Sequence, residues 1–176
     1  MRTFSQRHPD VQLNISFEDS EVAHEMLRHG DIELAVVTLN PDGDDTLHYQ
    51  PIWQDPLVFV HAQPATAPWR MQDLAATPCV LPGTGTYTGR IVLQRFADRG
   101  IALTPSMSTN YLETIGMLVS VGLGWSVLPR SMVGRLHEIA VDCEPMSRTL
   151  GCVTNPARAT SNAAAAFIKS VVESGD

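Results

Sequence analysis

The chain has 176 residues, a length that suits one large domain or two small lobes. It carries 12 basic and 19 acidic side chains, for a formal charge of −7, and no basic stripe. Binding of nucleic acid by this chain alone is therefore disfavoured. The apolar run near the N-terminus is too short for a signal-peptide core, and none approaches a membrane span, which favours a cytoplasmic protein. Three cysteines without regular spacing predict buried thiols, and a redox pair of Cys143 and Cys152 is the less favoured alternative.

The first forty residues predict a helix, a strand, a second helix and a second strand. "MRTFSQRHPDV" is typical of the end of a helix that Pro9 stops, and "VQLNISF" alternates apolar and polar residues as a strand does. In "DSEVAHEMLRHGD", Ser20 is expected to cap a helix that ends at a left-handed Gly30. "IELAVVTL" is a nearly continuous apolar strand. Strand, helix and strand in so few residues predict a βαβ unit with parallel strands.

The middle of the chain predicts further strands and one helix. "LHYQPIWQDPLVFVHA" indicates two strand segments bent at Asp55 and Pro56. "QPATAPW" is a polar stretch that suits a passage between lobes, and "CVLP" indicates a short buried strand. A loop rich in glycine and threonine then leads into a helix that Gly100 ends, and "TPSMST" begins another strand.

The segment "NYLETIGMLVSVGLGWSVLPRSMV" is the most informative part of the sequence. Asn110 and Glu113 have the spacing of a capping box, and the helix behind them is apolar on almost every side, which predicts burial. Gly122 and Gly124 are expected to turn the chain into the buried strand "WSVLP". Two strands, "EIAVDC" and "TLGCVT", and a helix capped by Ser161 complete the chain. This alternation predicts a two-lobed α/β architecture.

The same segment resembles the effector-domain pattern of LysR-type transcriptional regulators, in which a capped helix, a Gly-x-Gly turn and an apolar strand ending in Leu-Pro follow one another. Three other stretches are similar to that family in the same order along the chain. "FSQRHPDVQLNI" resembles the entry to the family's second strand, and "DPLVFVHA" resembles a strand that crosses between lobes. "LRHGDIELAVV" matches a third element, with Glu33 where aspartate is more usual.

The resemblance implies a fold like that of type 2 periplasmic binding proteins, with two Rossmann-like lobes joined by two crossing strands. Lobe I would comprise residues 1–60 and 148–176, and lobe II residues 61–147. The resemblance also implies a homodimer or higher homo-oligomer, which contacts DNA only through an N-terminal helix-turn-helix domain that is absent from this chain. Met1 falls inside the family's first helix, so the first strand of lobe I is expected to be missing. Another chain, or residues outside the numbered sequence, would then fill the vacancy in the lobe I sheet.

The loop in "LPGTGTYTGR" fits neither a P-loop, which needs a lysine, nor the dinucleotide fingerprint, whose glycine spacing differs by one residue. In open α/β sheets, ligands bind beyond the carboxyl ends of strands, where helix N-termini offer free N–H groups to anions. Three such junctions occur in this sequence, and the resemblance adds Thr38 at a strand end where the family often contacts its effector. We therefore expect a small carboxylate or similarly polar effector to contact Ser20, Thr38, Pro82, Gly83, Thr84, Gly85, Tyr87, Thr109 and Asn110.

Structural roles compete with these interpretations. Ser20 and Asn110 would cap helices with no ligand present, and the glycine-threonine loop is also a plausible simple turn. Arg90 and Arg95 are expected to be solvated, as are the three aspartates of the "PDGDD" turn. The histidines lack metal-ligand spacing, and no catalytic motif is present, so we predict no metal site, no cofactor and no enzyme activity. The alternative is a solute-binding protein of a transporter with the same bilobed fold. An enzyme built on that fold is less favoured.

Overall fold

The computed structural model describes residues 2–173, with side chains from Phe4 onward. These residues alternate between helical and extended segments, joined by one 3-10 turn at Arg130–Met132. The helices are α1 (Arg2–Arg7), α2 (Ser20–His29), α3 (Met71–Ala75), α4 (Tyr87–Ala97), α5 (Leu112–Ser120) and α6 (Asn162–Val172). The strands are β1 (Ala35–Thr38), β2 (His48–His61), β3 (Val80–Leu81), β4 (Met107–Ser108), β5 (Ser126–Pro129), β6 (His137–Glu138) and β7 (Met146–Thr154).

The chain divides into two compact units. Unit 1 comprises Met1–Trp53 and Thr149–Asp176, and unit 2 comprises Gln54–Arg148. Both divisions fall inside a strand, so that β2 and β7 each run from one unit into the other. These two strands are neighbours in one sheet. We call residues 54–57 of β2 and 146–148 of β7 the crossing segments of unit 2.

Unit 2 is built around a buried aromatic group. Trp125 has no exposed surface, and its indole N–H donates a hydrogen bond to the Leu74 carbonyl at 2.9 Å. Its ring stacks on Phe96 of α4, with centroids 5.9 Å apart, and lies 5.7 Å from the ring of Phe59 in β2. Because a buried indole N–H needs an acceptor, the bond to Leu74 also orients the tryptophan. The predicted core position of Trp125 is confirmed.

Unit 1 packs α2 against β1. Leu27 of α2 is fully buried, and Ala35 of β1 lies opposite Val153 in an antiparallel pairing with β7. The helix ends at Gly30, whose φ of 82° and N–H bond to the Met26 carbonyl at 2.8 Å make the left-handed stop that the sequence predicts.

The C-terminal part of unit 1 closes onto this helix and strand. The Arg158 guanidinium donates to the His29 carbonyl at 2.6 Å, at the end of α2 where a cation is favourable. The Ser161 hydroxyl accepts from the Ala164 N–H at 3.1 Å, which confirms Ser161 as the cap of α6. The same hydroxyl donates to Glu33 at 3.1 Å. Glu33, the residue that departs from the family pattern, thus holds the start of α6.

The predicted strand at residues 11–17 and the predicted parallel βαβ unit are both wrong. These residues form no regular secondary structure, and β1 pairs antiparallel with β7. An isolated strand leaves its N–H and C=O groups without partners, and no strand among residues 2–173 pairs with this segment. Ile15 and Phe17 are consequently 50% and 94% exposed. Within the same residues β1 has a neighbouring strand on one side only, and the expected filling of a vacant strand position stays a prediction.

Two predicted helix caps are also wrong. The cap position of α2 is Asp19 and that of α5 is Tyr111, and neither makes a side-chain capping bond. The Ser20 hydroxyl instead accepts a hydrogen bond from the end of β1, and Asn110 lies against the backbone of Gly83. Ser20 and Asn110, which the local pattern predicted as helix caps, therefore make tertiary contacts instead.

Three further expectations need correction. The helix α5 is buried on one face only, since Ile115 and Val119 have no exposed surface while Met117 and Val121 are 52% and 65% exposed. The buried face is the one that packs against β3 and β5. β2 is one strand through Pro56 rather than two segments, and the missing N–H of Pro56 costs no bond in the pairing with β5, which begins at Leu57. The strand predicted at 138–143 is reduced to β6.

Candidate functional site

The candidate site in unit 2 begins with the effector loop, which we define as Pro82–Tyr87. The Thr86 hydroxyl accepts a hydrogen bond from the Gly89 N–H at 3.0 Å and donates one to the Gly83 carbonyl at 2.8 Å. Thr86 therefore caps α4 and closes the loop at the same time. A Cβ atom at Gly89 would lie 2.2 Å from the Gly83 carbonyl oxygen, so this tight turn requires glycine at position 89. The loop therefore has a defined conformation, held by the hydrogen bonds of Thr86 at the first turn of α4.

A second helix start lies beside this loop. β3 and β4 pair in parallel, so their carboxyl ends meet at one edge, and the Thr109 N–H donates to the Leu81 carbonyl at 3.3 Å. A Cβ atom at Gly83 would lie 2.5 Å from Oδ1 of Asn110, which shows how closely Asn110 approaches the loop backbone. The structure thus brings Thr109 and Asn110 together with the effector loop, as the positions of the two strand ends require.

The loop offers its groups to solvent unevenly. Thr84 and Gly85 are exposed, whereas Pro82 and Tyr87 are buried, the latter with 6% of its surface accessible. Thr84 and Gly85 sit at the tip, and Pro82 and Tyr87 form the packed base on which it rests. The tip is therefore the part of the loop that is open to solvent.

The remaining predicted residues, Ser20 and Thr38, form a separate pair in unit 1. The Thr38 N–H donates to the Ser20 hydroxyl oxygen at 3.2 Å. Thr38 is 5% exposed and Ser20 is partly exposed. The strand end at Thr38 and the helix start at Ser20 are therefore adjacent, as expected for a strand and helix that pack together. A shared site with the effector loop stays a prediction.

Two arginines with no role in the site predicted from the sequence lie at the first turn of α4, Arg90 within the helix and Arg148 of β7 in contact with it. Arg90, expected to be solvated, is partly buried, and its guanidinium lies 5.0 Å from the ring centroid of Tyr87. Arg148 donates from Nη1 to the hydroxyl of Thr88 at 3.3 Å. The spacing of three residues between Tyr87 and Arg90 on one helix is a signal that sequence reasoning missed. No local signal links Arg148 to Thr88, since 60 residues separate them.

Unit 1 contains an ion pair between Arg28 of α2 and Asp44. Asp44, expected to be a solvated turn residue, is 12% exposed in its side chain and accepts hydrogen bonds from Thr46 and from Arg28. These bonds, that from Thr46 first, lower the pKa of Asp44 to about 2. Burial lowers the pKa of the neighbouring His24, which has no exposed surface. The bond from Arg28 to Asp44 ties α2 to the turn that follows β1.

Cavity and cysteine chemistry do not compete with this site. An open cavity of about 530 Å³ lies in unit 1, and two of the three charged residues that line it, Glu33 and Arg158, are engaged at the ends of α6 and α2, the third being Asp31. Cys79 and Cys152 are buried free thiols and Cys143 is a half-buried one, and burial raises the pKa of all three. A raised pKa keeps a thiol protonated near neutral pH, and the prediction of buried thiols is confirmed for Cys79 and Cys152.

Metal centres and membrane-spanning helices are both absent from residues 2–173. No group of three or more histidine, cysteine, aspartate or glutamate side chains is arranged to hold a metal ion there. Over the same residues, every helix is too short or too polar to span a membrane.

Solved structures with the same fold are regulatory and effector-binding domains. The regulatory domain of CcmR from Synechocystis PCC6803, solved with 2-PG, has a TM-score of 0.87 at 18% identity, over 99% of this chain and 88% of that chain. The effector-binding domain of QuiR, solved with shikimate, gives 0.83 at 17%, over 99% and 87%. That of BenM, solved with benzoate, gives 0.76 at 16%, over 98% and 82%. These likenesses confirm the predicted fold class, that of LysR effector-binding domains.

Curated relatives are longer proteins. The uncharacterized HTH-type transcriptional regulator YcgK of Bacillus subtilis (strain 168) is 27% identical over 96% of this chain and 60% of its own length. CatR of Pseudomonas putida, another HTH-type regulator, is 32% identical over 61% of this chain and 39% of its own length. The phosphonates import ATP-binding protein PhnC of Anaeromyxobacter dehalogenans (strain 2CP-C) is 25% identical over 96% and 36%. The chain thus spans between about a third and three fifths of these relatives.

A family model described as the LysR substrate binding domain matches residues 1–176, the whole of the chain. This match agrees with the order of motifs in the sequence and with the fold. The chain belongs to the LysR substrate-binding domain family.

Proposed function

We propose that this chain is the effector-sensing domain of a LysR-type transcriptional regulator, and that it binds a small anionic or polar metabolite at the effector loop. The observation that carries the proposal is the convergence of two helix starts in unit 2, where Asn110 lies against Gly83 beside the exposed loop tip. Family membership supports a regulator over the solute-binding alternative, and over an enzyme.

The chemistry of this region favours an anion. The N-terminal turn of a helix presents N–H groups and a partial positive charge, worth about 0.3–1 kcal/mol to an exposed anion and more when partly buried. Arg90 adds a positive charge at the first turn of α4, whereas the charge of Arg148 beside it is balanced by the carboxylate of Asp55. Benzoate and shikimate, named with the structures of BenM and QuiR, are both carboxylates. The neutral hydroxyl of Thr84 would add hydrogen bonds that discriminate among such ligands.

The proposal extends to the other predicted residues and to the whole protein. Ser20 and Thr38 would offer polar groups to a ligand at the helix start and strand end of unit 1. In the full regulator, a helix-turn-helix domain would hold DNA in the cytoplasm, and subunits would associate through the present domain. Effector binding alters DNA binding only if the effector has different affinity for two arrangements of the subunits.

A thermal-shift screen with benzoate, shikimate and other small carboxylates tests the ligand class. A carboxylate at one hundred times its dissociation constant should stabilise the chain by about 2.7 kcal/mol. The matching primary amides, benzamide among them, serve as uncharged controls. If folded protein responds to no carboxylate, or equally to acid and amide, the anionic assignment is refuted.

Substitutions in the loop test whether the ligand binds there. With the carboxylate that gives the largest shift, Asn110→Ala and Thr84→Val should each weaken binding, by about three- to tenfold, as the loss of one hydrogen bond implies. Thr104→Val, a change at an exposed threonine elsewhere in unit 2, is the matched control and should leave affinity unchanged. Unaltered affinity in the two loop variants, measured by calorimetry, would place the ligand elsewhere.

A further inference from the structure

Three residues of unit 2 form a bridge between the effector loop and the crossing segments. Arg148 in β7 donates from Nε to Oδ2 of Asp55 in β2 at 2.8 Å. The same guanidinium donates from Nη1 to Oγ1 of Thr88 at 3.3 Å. Thr88 is the second residue of α4, two positions after the cap Thr86 that closes the loop. One side chain thus touches both crossing segments and the helix start of the candidate site.

The bridge differs from the surface ion pairs of this chain. The side chains of Arg148 and Asp55 are only 14% and 15% exposed, whereas those of Arg130 and Glu138 are 62% and 43% exposed. Thr88 is 6% exposed. Exposed pairs contribute little, but a partly buried pair leaves an uncompensated charge when one partner is removed. A rigid, planar guanidinium that donates in two directions also fixes geometry in a way that a lysine does not.

We propose that Arg148 is a positioning residue that couples the effector loop to the crossing segments of β2 and β7. The inference rests on the proposed function, since the coupling serves regulation only if a ligand binds the loop. A displacement of the first turn of α4 is passed through Thr88 and Arg148 to Asp55, directly beside the points where both strands continue into unit 1. Coupling of this kind is reciprocal, so a change in the crossing segments also reaches the loop.

Hydrogen–deuterium exchange of the ligand-free 176-residue chain tests the bridge. Thr88→Val removes the hydroxyl but keeps the volume, and should raise amide exchange in the crossing segments by about tenfold. Asp55→Asn should raise exchange by a similar factor at residues 83–90, on the far side of Arg148. Because both changes act through Arg148, the double variant should show less than the sum of the two effects.

Matched variants separate coupling from local damage. Thr88→Ser keeps the hydroxyl and should restore wild-type exchange in the crossing segments. Ser147→Ala removes the 3.3 Å hydrogen bond to Gln54 on the same two strands, without touching α4, and should leave the loop unchanged. Arg148→Lys keeps the charge but not the fork, and should raise exchange at both ends.

The proposal is overturned if the effect of Thr88→Val stays within α4 and that of Asp55→Asn stays within the strands, or if the two effects are additive. Should Arg148→Lys fail to fold, the threonine and aspartate variants decide the question alone. The measurement uses no ligand. A chain that binds no carboxylate would refute the proposed function and leave the exchange result standing.

Discussion

Replacing Gly89 by alanine should destabilise the chain, although alanine is the better helix former. Alanine is favoured over glycine in a helix by about 0.8–1 kcal/mol. At position 89, however, the added Cβ would lie 2.2 Å from the Gly83 carbonyl oxygen and 3.0 Å from that of Pro82, and both atoms belong to the backbone. Relief requires the loop to move by about 1 Å, and overpacking of this kind typically costs about 1–3 kcal/mol. The net result is a loss of up to about 2 kcal/mol.

Gly116 provides the matched control. It too lies inside a helix, α5, but its added Cβ would meet only the Leu128 side chain, at an ordinary contact distance of 3.7 Å. Gly116→Ala should therefore stabilise the chain by about 0.5–1 kcal/mol. Urea unfolding followed by tryptophan fluorescence compares the two variants, since Trp125 reports on unit 2. The variant at position 89 should also lose carboxylate binding, because its loop is displaced.

The reasoning is refuted if the two alanine variants are stabilised alike. That outcome would mean that the effector loop can move away from position 89 with no loss in the free energy of unfolding, so that its closed conformation is not required for the stability of unit 2.

Three other predictions concern unit 1. Burial lowers the pKa of His24, so below about pH 6.5 the unfolded chain takes up a proton more readily than the folded chain, and the free energy of unfolding falls with pH. His24→Gln should flatten this dependence in urea titrations from pH 7.5 to 5. Folding lowers the pKa of Asp44 from 3.8 to about 2, which adds roughly 2 kcal/mol to the free energy of unfolding above about pH 4 and is lost as pH falls towards 2. Asp44→Asn should therefore cost about that amount at pH 7 and almost nothing near pH 2 in the same urea titrations. Phe17 is 94% exposed, so Phe17→Ser should change stability by less than about 0.5 kcal/mol, and a larger loss in thermal unfolding would show that the side chain is packed.

Local signals in the sequence predicted local structure well. The left-handed stop at Gly30, the cap at Ser161 and the burial of Trp125 each depend on a few neighbouring residues or on one side chain's chemistry. The position of the loop after β3 was also predictable, because a strand end followed by a helix start has a clear pattern. The fold class, in contrast, was predicted from the order of family-like motifs along the whole chain.

Features that depend on distant residues were not predictable. Residues 11–17 have the alternation of a strand, but pairing needs a neighbour, and the pattern does not say whether one is present. Arg28 meets Asp44 across 16 residues, and Arg148 meets Asp55 across 93. The apolar residues on almost every side of α5, Met117 among them, likewise predicted burial all round, whereas only the face of α5 towards β3 and β5 is covered. Such contacts follow from topology and not from spacing.

The discontinuity of unit 1 has a consequence for synthesis on the ribosome. β1 pairs with β7, the end of α2 accepts a hydrogen bond from Arg158, and the Leu27 carbonyl accepts one from Asn155, 128 residues later. These early elements therefore lack their partners until the end of unit 1 has been synthesised. Unit 2 is an uninterrupted stretch, so every partner it needs has emerged before the last strand of unit 1 is made. Because domains fold as units while the chain is extended, unit 2 should acquire its structure first, and residues 1–53 of unit 1 should remain open to chaperones until residues 149–176 have emerged from the ribosome.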